Sequence, residues 1–274
     1  MGPDGAFYDG AGKTVFVAGG TSGINRGIAR RFAEAEAKLF VMSRSADKVE
    51  DTVSEFTALG VEAAGATADV RNAGEVEAAF AACVARFGEI DVLVSGAAGN
   101  FPARAAKLSS NGFRAVMEID VLGTHHVMLS AYKHMRRPGA IINISAGMSE
   151  RPMVGQVHVC AAKAGVDQIT RTLALEWGPE GIRVNSVIPG PIEGTEGMKR
   201  LTPSPEHEAR LKKTIPLVRY GAASEVGDLC LFLASDRAAY ITGAVIPVDG
   251  GSTMAWPVHM LEPALAYLDQ KGSE

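Results

Sequence analysis

The sequence predicts an α/β fold, a doubly wound parallel sheet of about seven strands with helices on both faces. Three observations carry that expectation. Short apolar or β-branched runs alternate with longer helical patterns along the chain. A glycine-rich turn joins the first such run to the first helix. No linker, internal repeat or low-complexity run divides the 274 residues, so one domain over 1–274 is expected.

The elements follow in order. TVFVAG (14–19) reads as a strand and GINRGIARRFAEAEA (23–37) as the helix after it. LFVMS (39–43) is the second strand, and ADKVEDTVSEFTALG (46–60) a helix stopped by Gly60. VEAAGATADV (61–70) brings the third strand, and AGEVEAAFAACVARFG (73–88) a helix closed by Gly88. IDVLVSGAAG (90–99) is a fourth strand running into a small-residue loop. Residues 110–136 read as helical, AIINIS (140–145) as the fifth strand, and 155–177 as a long amphipathic helix ended by Gly178 and Pro179. IRVNSVIP (182–189) is the sixth strand, SEVGDLCLFLAS (224–235) a helix and AVIPVDGG (244–251) the last strand. Crossovers between parallel strands are expected to be right-handed. PGPIEGTEGMKRLTPSPEHEARL (189–211) is rich in Gly, Pro and charge, and is too long for a plain connection. It suits a lid-like insertion at about 190–213. The tail 253–274 follows the last strand and has no assigned place.

Composition excludes several classes. Apolar residues are 47% and charged residues 21%, which suits a large core under a charged surface. A net charge of −4 argues against a nucleic-acid partner. No run of 18 apolar residues exists, so no membrane span is expected. MGPDGAFYDGAGK lacks the apolar core of a secretory signal, and Ala6 stands where a myristoylation signal wants Ser or Thr. Cys83, Cys160 and Cys230 are far apart with no CxxC, as expected of reduced thiols in a cytoplasmic protein. The six histidines show no metal-ligand spacing, so no metal is expected.

After the first strand comes AGGTSGINRGIA (18–29). Gly19 and Gly23 permit a tight turn and close approach of backbone to a pyrophosphate, with Gly20, Thr21, Ser22 and Ile24 in the same turn. The next helix points its N-terminus at that phosphate. The context of strand, glycine turn and helix is what gives the motif weight as a Rossmann nucleotide site. Asn25 tolerates unusual backbone, and its amide is within reach of a phosphate oxygen by this reading. The second strand ends VMSRS. NAD enzymes place an acid there for the ribose 2′-hydroxyl. Here Ser43 and Arg44 occupy the place, and a guanidinium suits a 2′-phosphate. NADP(H) is favoured over NAD, and a solvated surface arginine is the alternative.

These motifs, taken with the rest of the chain, resemble the short-chain dehydrogenase/reductase (SDR) family, whose glycine pattern is TGxxxGxG. Ala18 and Asn25 depart from that pattern. The resemblance implies that Asp69 and Val70 border the adenine, that Gly96 and Ala97 of SGAAG face the nucleotide, and that Pro189, Gly190, Ile192 and Thr195 flank the nicotinamide. It also implies an active site of Asn, Ser, Tyr and Lys. Lys163 is present. Val159 stands in the tyrosine's place, Ala146 in the serine's beside Ser145, and Asp120 in the asparagine's. Reducing a ketone makes an alkoxide that needs a positioned acid, so an ordinary ketoreductase is not expected.

VSGAAGNF (94–101), MEIDVLGT, QVHVCAAK, ALEWGPEGIRVNS and PGPIEGTEGMKRL together resemble the 2,4-dienoyl-CoA reductases, nearest to the peroxisomal-type branch, over about residues 12–252. That branch reduces a conjugated dienoyl thioester with NADPH. The resemblance implies Asp120, Lys163 and Asp249 as catalytic residues, Asp249 being the weaker because VDGG is widespread in SDRs that use tyrosine. A helix-kink role bonded to backbone or water is the alternative for Asp120. Arg71, Phe101, Ser109, Ser110, Asn111 and Arg200 are expected to meet an acyl-CoA substrate, although each is also a plausible surface or capping residue. His158 flanks the missing tyrosine, either as a proton donor or as a buried structural histidine. A homotetramer built on the helices near 110–136 and 155–177 is expected by resemblance. A non-catalytic NADP-binding homologue and an enzyme acting on another CoA-linked or carbonyl substrate stay open.

Overall fold

The computed structural model describes residues 8–202 and 204–254, with the side chains of Arg200 and Leu201 outside the description. The predicted tail therefore lies outside the described residues beyond Met254.

Seven parallel strands form one sheet in the order β3-β2-β1-β4-β5-β6-β7. They are β1 (Thr14–Ala18), β2 (Lys38–Ser43), β3 (Ala63–Thr67), β4 (Ile90–Ser95), β5 (Met135–Ile144), β6 (Ile182–Pro189) and β7 (Val245–Val248). Every residue of TVFVA is buried, so β1 is covered on both faces, as a parallel sheet between helices demands. Alternation divides its side chains. Val15 and Val17 pack with Ile28 and Phe32 of α1 (Gly23–Glu34), Phe56 of α2 (Ala46–Ala58) and Cys230 of α9 (Ala223–Ala234). Phe16 and Ala18 face the opposite layer, with Phe80 of α3 (Ala73–Phe87), Met128 of α5 (Gly123–His134) and Trp177 of α6 (Val157–Trp177).

Two predicted boundaries are corrected. Residues 110–136 are not one regular helix: α4 (Ser110–Val116) passes into a π-helical segment, Met117–Leu122, before α5. A π-turn inserts a residue without breaking the apolar pattern, so periodicity does not reveal it. The helix stops at His134, because Met135 turns extended and β5 begins there. The lid region holds two short helices, α7 (Glu196–Leu201) and α8 (Pro205–Lys213), capped by Thr195 and Ser204. Near them Met198, Ile215 and Tyr220 form a small apolar cluster of their own.

Strand order reverses between β1 and β4. A crevice opens there at the carboxyl ends of the strands, the usual ligand position in such a sheet.

Candidate active site

A cleft of about 200 Å³ lies at that switch point. Gly19, Ser22, Asn25, Arg44, Asp69 and Ala97 are among its walls. Gly19 has φ 79°, and a Cβ there would sit 2.9 Å from the Ala97 backbone, so only glycine lets the two loops meet. Gly23 has φ 54°, which opens α1. Ser22 caps α1 without a side-chain bond, so the first-turn N–H groups remain available to an anion. Thr21 lines the same cleft, while Gly20 abuts Val17 and Ile24 packs against the core.

Asn25 has a definite partner. Its Nδ2 donates to the Gly96 carbonyl at 2.7 Å. A Cβ on Gly96 would lie 2.3 Å from Asn25 Oδ1, so the asparagine fits only because residue 96 has no side chain. The amide thus ties α1 to the end of β4.

Ser43 and Arg44 stand at the end of β2, with no acid between them, and Arg44 joins no ion pair among the described residues. That donor set fits a 2′-phosphate. Asp69 is held by Arg71, whose Nε lies 3.1 and 3.0 Å from its two oxygens. The guanidinium hydrogen bonds hold the Asp69 carboxyl below its usual range. Arg71 therefore positions Asp69 in this structure. Met42, Ala68, Ala98 and Ile119 also line the cleft, apolar positions that are not among the expected cofactor residues.

The chemical end is organised by two charges. Lys163, in the second turn of α6, and Asp120, in the π-helical segment, form a buried ion pair with Nζ–Oδ2 at 3.2 Å. The Asp120 side chain is 0% exposed. Its Oδ1 accepts from the Gly99 backbone N–H at 2.7 Å. Oδ2 receives no aligned hydrogen bond and faces the ammonium as an ion pair. Lys163 Nζ also donates to the Ile144 carbonyl at 3.3 Å. The pair joins the ends of β4, β5 and two helices at one point. The Gly99 amide is a participant that sequence reasoning missed, because any residue type supplies it.

Val159 is buried against Val116 and Ala162, with Phe101, Met117, Val121 and Met148 around them. An apolar wall therefore replaces a phenol. Ser145 is buried and its hydroxyl has no partner among the described residues, so it remains able to donate. His158 is fully buried, and its Nε2 lies 2.9 Å from the Phe101 carbonyl. A carbonyl only accepts, so Nε2 carries the hydrogen and donates it to Phe101. Of the two readings of His158, the structure supports the buried histidine that anchors the Phe101 loop.

Asp249 accepts from Thr253 N at 2.6 Å, Gly251 N at 2.9 Å and Ser252 Oγ at 3.2 Å. Burial works against its ionisation, but these bonds outweigh it and hold the carboxyl below its usual range. Its acceptors are spent on the turn after β7. Pro189 ends β6, and Gly190 is required by the closeness of Asp249, whose Cα would lie 2.5 Å from a Cβ there. Ile192 points into the core and Thr195 caps α7, accepting from Met198 N at 3.3 Å.

Among the substrate candidates, Phe101 lies beside Val159, with its ring centroid 4.6 Å from His158. Ser109 caps α4, accepting from Gly112 N at 3.1 Å, and Ser110 shares with it a second groove outside the nucleotide cleft. Asn111 is exposed on α4. Arg200 belongs to α7, but its side chain lies outside the described residues.

A family model described as enoyl-(acyl carrier protein) reductase matches residues 18–253. The peroxisomal 2,4-dienoyl-CoA reductase of Rattus norvegicus, named as producing (3E)-enoyl-CoA, is 42% identical over 89% of this chain and 85% of its own. That of Arabidopsis thaliana is 38% identical over 94% and 90%. A probable 2,4-dienoyl-CoA reductase of Bacillus subtilis, named as producing (2E)-enoyl-CoA, is 39% identical over 87% and 96%. Among solved structures, a variant of a Serratia marcescens short-chain dehydrogenase/reductase superposes with TM-score 0.84 at 30% identity, covering 90% of this chain and 100% of that one. A variant of actinorhodin polyketide ketoreductase with NADPH superposes with TM-score 0.85 at 32% identity, covering 88% and 97%.

Proposed function

The chain belongs to the short-chain dehydrogenase/reductase family, and on that premise we propose that it reduces a conjugated carbon–carbon double bond in a 2,4-dienoyl-CoA, or a related enoyl-CoA thioester, using NADPH. It is an NADP-dependent oxidoreductase acting on a CH–CH group. One observation carries the reading: a buried Asp120–Lys163 pair is built into a chain that has Val159 and Ala146 at the positions where a ketoreductase needs hydroxyl donors.

NADPH when bound supplies a hydride to the far end of the conjugated system. Negative charge then spreads over a dienolate and its thioester oxygen, so no alkoxide forms that would demand a phenol. Lys163 is the only buried lysine or arginine among the described residues, and it offers that charge a fixed cation. Arg44 and Ser43 hold the 2′-phosphate end, and Lys163 faces the ribose end. Asp120 accepts from Gly99 and faces Lys163, which holds its carboxylate where a water can be bound and exchange a proton. The proton taken up by carbon completes the addition. Protonation at the α-carbon leaves a 3-enoyl thioester, and protonation at the γ-carbon leaves a 2-enoyl thioester. We place the proton at the α-carbon, in line with the rat and Arabidopsis relatives. The protein is further proposed to be cytoplasmic, by analogy with the Bacillus subtilis relative; no helix of the described residues is long and apolar enough to cross a membrane. Leu122, Leu129 and Leu175 lie exposed on or beside α5 and α6, which supports assembly as a homotetramer through those helices.

The test is NADPH oxidation across 2-enoyl-, 2,4-dienoyl- and 3-ketoacyl-CoA, with the product double bond located by NMR. Turnover confined to the dienoyl thioester is expected. Turnover of simple ketones without any on the dienoyl thioester overturns the reading.

A further inference from the structure

Three acids are buried among the described residues: Asp91, Asp120 and Asp167. Asp91 is matched by Lys13 and Arg136, each at 3.3 Å, and by the Thr14 N–H at 2.9 Å. Asp120 is matched by Lys163. Asp167 is 2% exposed, and among the described residues no cation stands within ion-pair distance of it. Its Oδ1 accepts from Ser186 Oγ at 2.8 Å, and its Oδ2 has no partner. Ser186 of β6 sits beside Asn143 of β5, but the Asn143 amide is spent on Thr170 at 2.8 Å and on the Met128 sulfur. A buried carboxylate with one neutral donor is costly unless a nearby charge compensates it.

That charge lies one helical turn away. Lys163 and Asp167 are four residues apart on α6 and both belong to its buried side, so their Cβ atoms are roughly 5–6 Å apart on one face. Two buried acids, Asp120 and Asp167, thus share one buried base. Resting on the reaction given above, we propose that Asp167 is a positioning residue for it, a second counter-charge that keeps the Lys163 ammonium in place while Asp120 carries a proton. In that step the water held by Asp120 gives a proton to the α-carbon, where the electron pair of the dienolate forms the C–H bond. The same water takes the proton of the Asp120 carboxyl, which becomes a carboxylate, and solvent restores that proton before the next turnover. While Asp120 is neutral, Asp167 is the carboxylate that spares Lys163 from being a lone buried cation.

The experiment compares the wild-type protein with Asp167→Asn and Ser186→Ala, using NADPH and a 2,4-dienoyl-CoA. Asparagine keeps the shape and an oxygen for the Ser186 hydroxyl and removes the charge. The serine variant removes the hydrogen bond and keeps the charge. Asp167→Asn should lower kcat by roughly tenfold and leave both KM values unchanged. Ser186→Ala should lower the melting temperature and keep the wild-type kcat. A wild-type kcat in Asp167→Asn overturns the proposal and leaves Asp167 as an anchor of α6 on β6. If that variant does not fold, Asp167→Ala against Ser186→Ala makes the same comparison, because both lose the hydrogen bond and only the first loses the charge; equal kcat values overturn the proposal. If the wild-type protein reduces no thioester, the proposed reaction fails, and urea unfolding of Asp120→Asn, Asp167→Asn and the double variant still tests the shared counter-charge. Either single change leaves Lys163 one carboxylate and the double change leaves none, so the double loss should exceed the sum of the two. Additive losses overturn the proposal.

Discussion

Asp120 and Lys163 meet at 3.2 Å in the interior, with side chains 0% and 8% exposed. Neither helix carrying them runs beside the other in sequence, so the contact is a product of the fold. A buried ion pair is stable only while both members are present.

Lys163→Met should therefore cost roughly 3–5 kcal/mol of stability and end turnover, because Asp120 is left buried without its counter-charge. The double variant Asp120→Leu/Lys163→Met should lose less than the sum of the two single changes. Urea unfolding of the four proteins measures this. Additive losses would show that the two groups do not interact.

Asn25 and Gly96 should behave as a unit, because the amide fills the space that a side chain at 96 would need. Gly96→Ala should weaken NADPH binding and lower the melting temperature, with an overpacking cost of about 1–3 kcal/mol. Adding Asn25→Gly should recover most of the loss. Fluorescence titration with NADPH checks both; a double variant no better than Gly96→Ala refutes the pairing.

Arg44→Ala should lower kcat/KM with NADPH by roughly tenfold to a hundredfold, the value of a hydrogen bond to a charged group. Activity with NADH should change little. Equal losses with both nucleotides would mean that Arg44 does not read the 2′-phosphate.

Val159→Tyr should not restore ketone reduction. The position is enclosed by Val116, Ala162 and their apolar neighbours, and overpacking it should cost roughly 1–3 kcal/mol. Thermal denaturation and a ketone substrate panel test the two halves. A stable variant that reduces ketones would show the pocket to be poised for a phenol.

Glu225 should govern part of the acid stability. Arg219 donates to both its oxygens, at 2.8 and 2.6 Å, and the Ala222 N–H donates at 2.8 Å. The guanidinium hydrogen bonds, with the backbone bond after them, bring its pKa down to about 2. A depressed folded pKa contributes stability that is full above the unfolded value and is lost as pH falls through about 2. Glu225→Gln should flatten stability measured between neutral and strongly acid pH. An unchanged slope refutes the assignment.

The sequence by itself determined the seven-stranded parallel sheet, because each strand is a short apolar run and each helix keeps its own period. It also determined that nucleotide turn, since strand, glycine turn and helix are contiguous in the chain. It marked Lys163, Val159 and Asp120 as a set only through resemblance. What the tertiary structure decided were relationships between distant segments. The π-helical turn that carries Asp120 leaves the apolar pattern intact, so only the folded backbone shows it. The Gly99 amide that holds Asp120, and the Gly96 carbonyl that holds Asn25, are main-chain groups, and main chain is the same at every residue. Sequence reveals what a side chain is able to do; the partner it finds depends on which strands the sheet sets side by side.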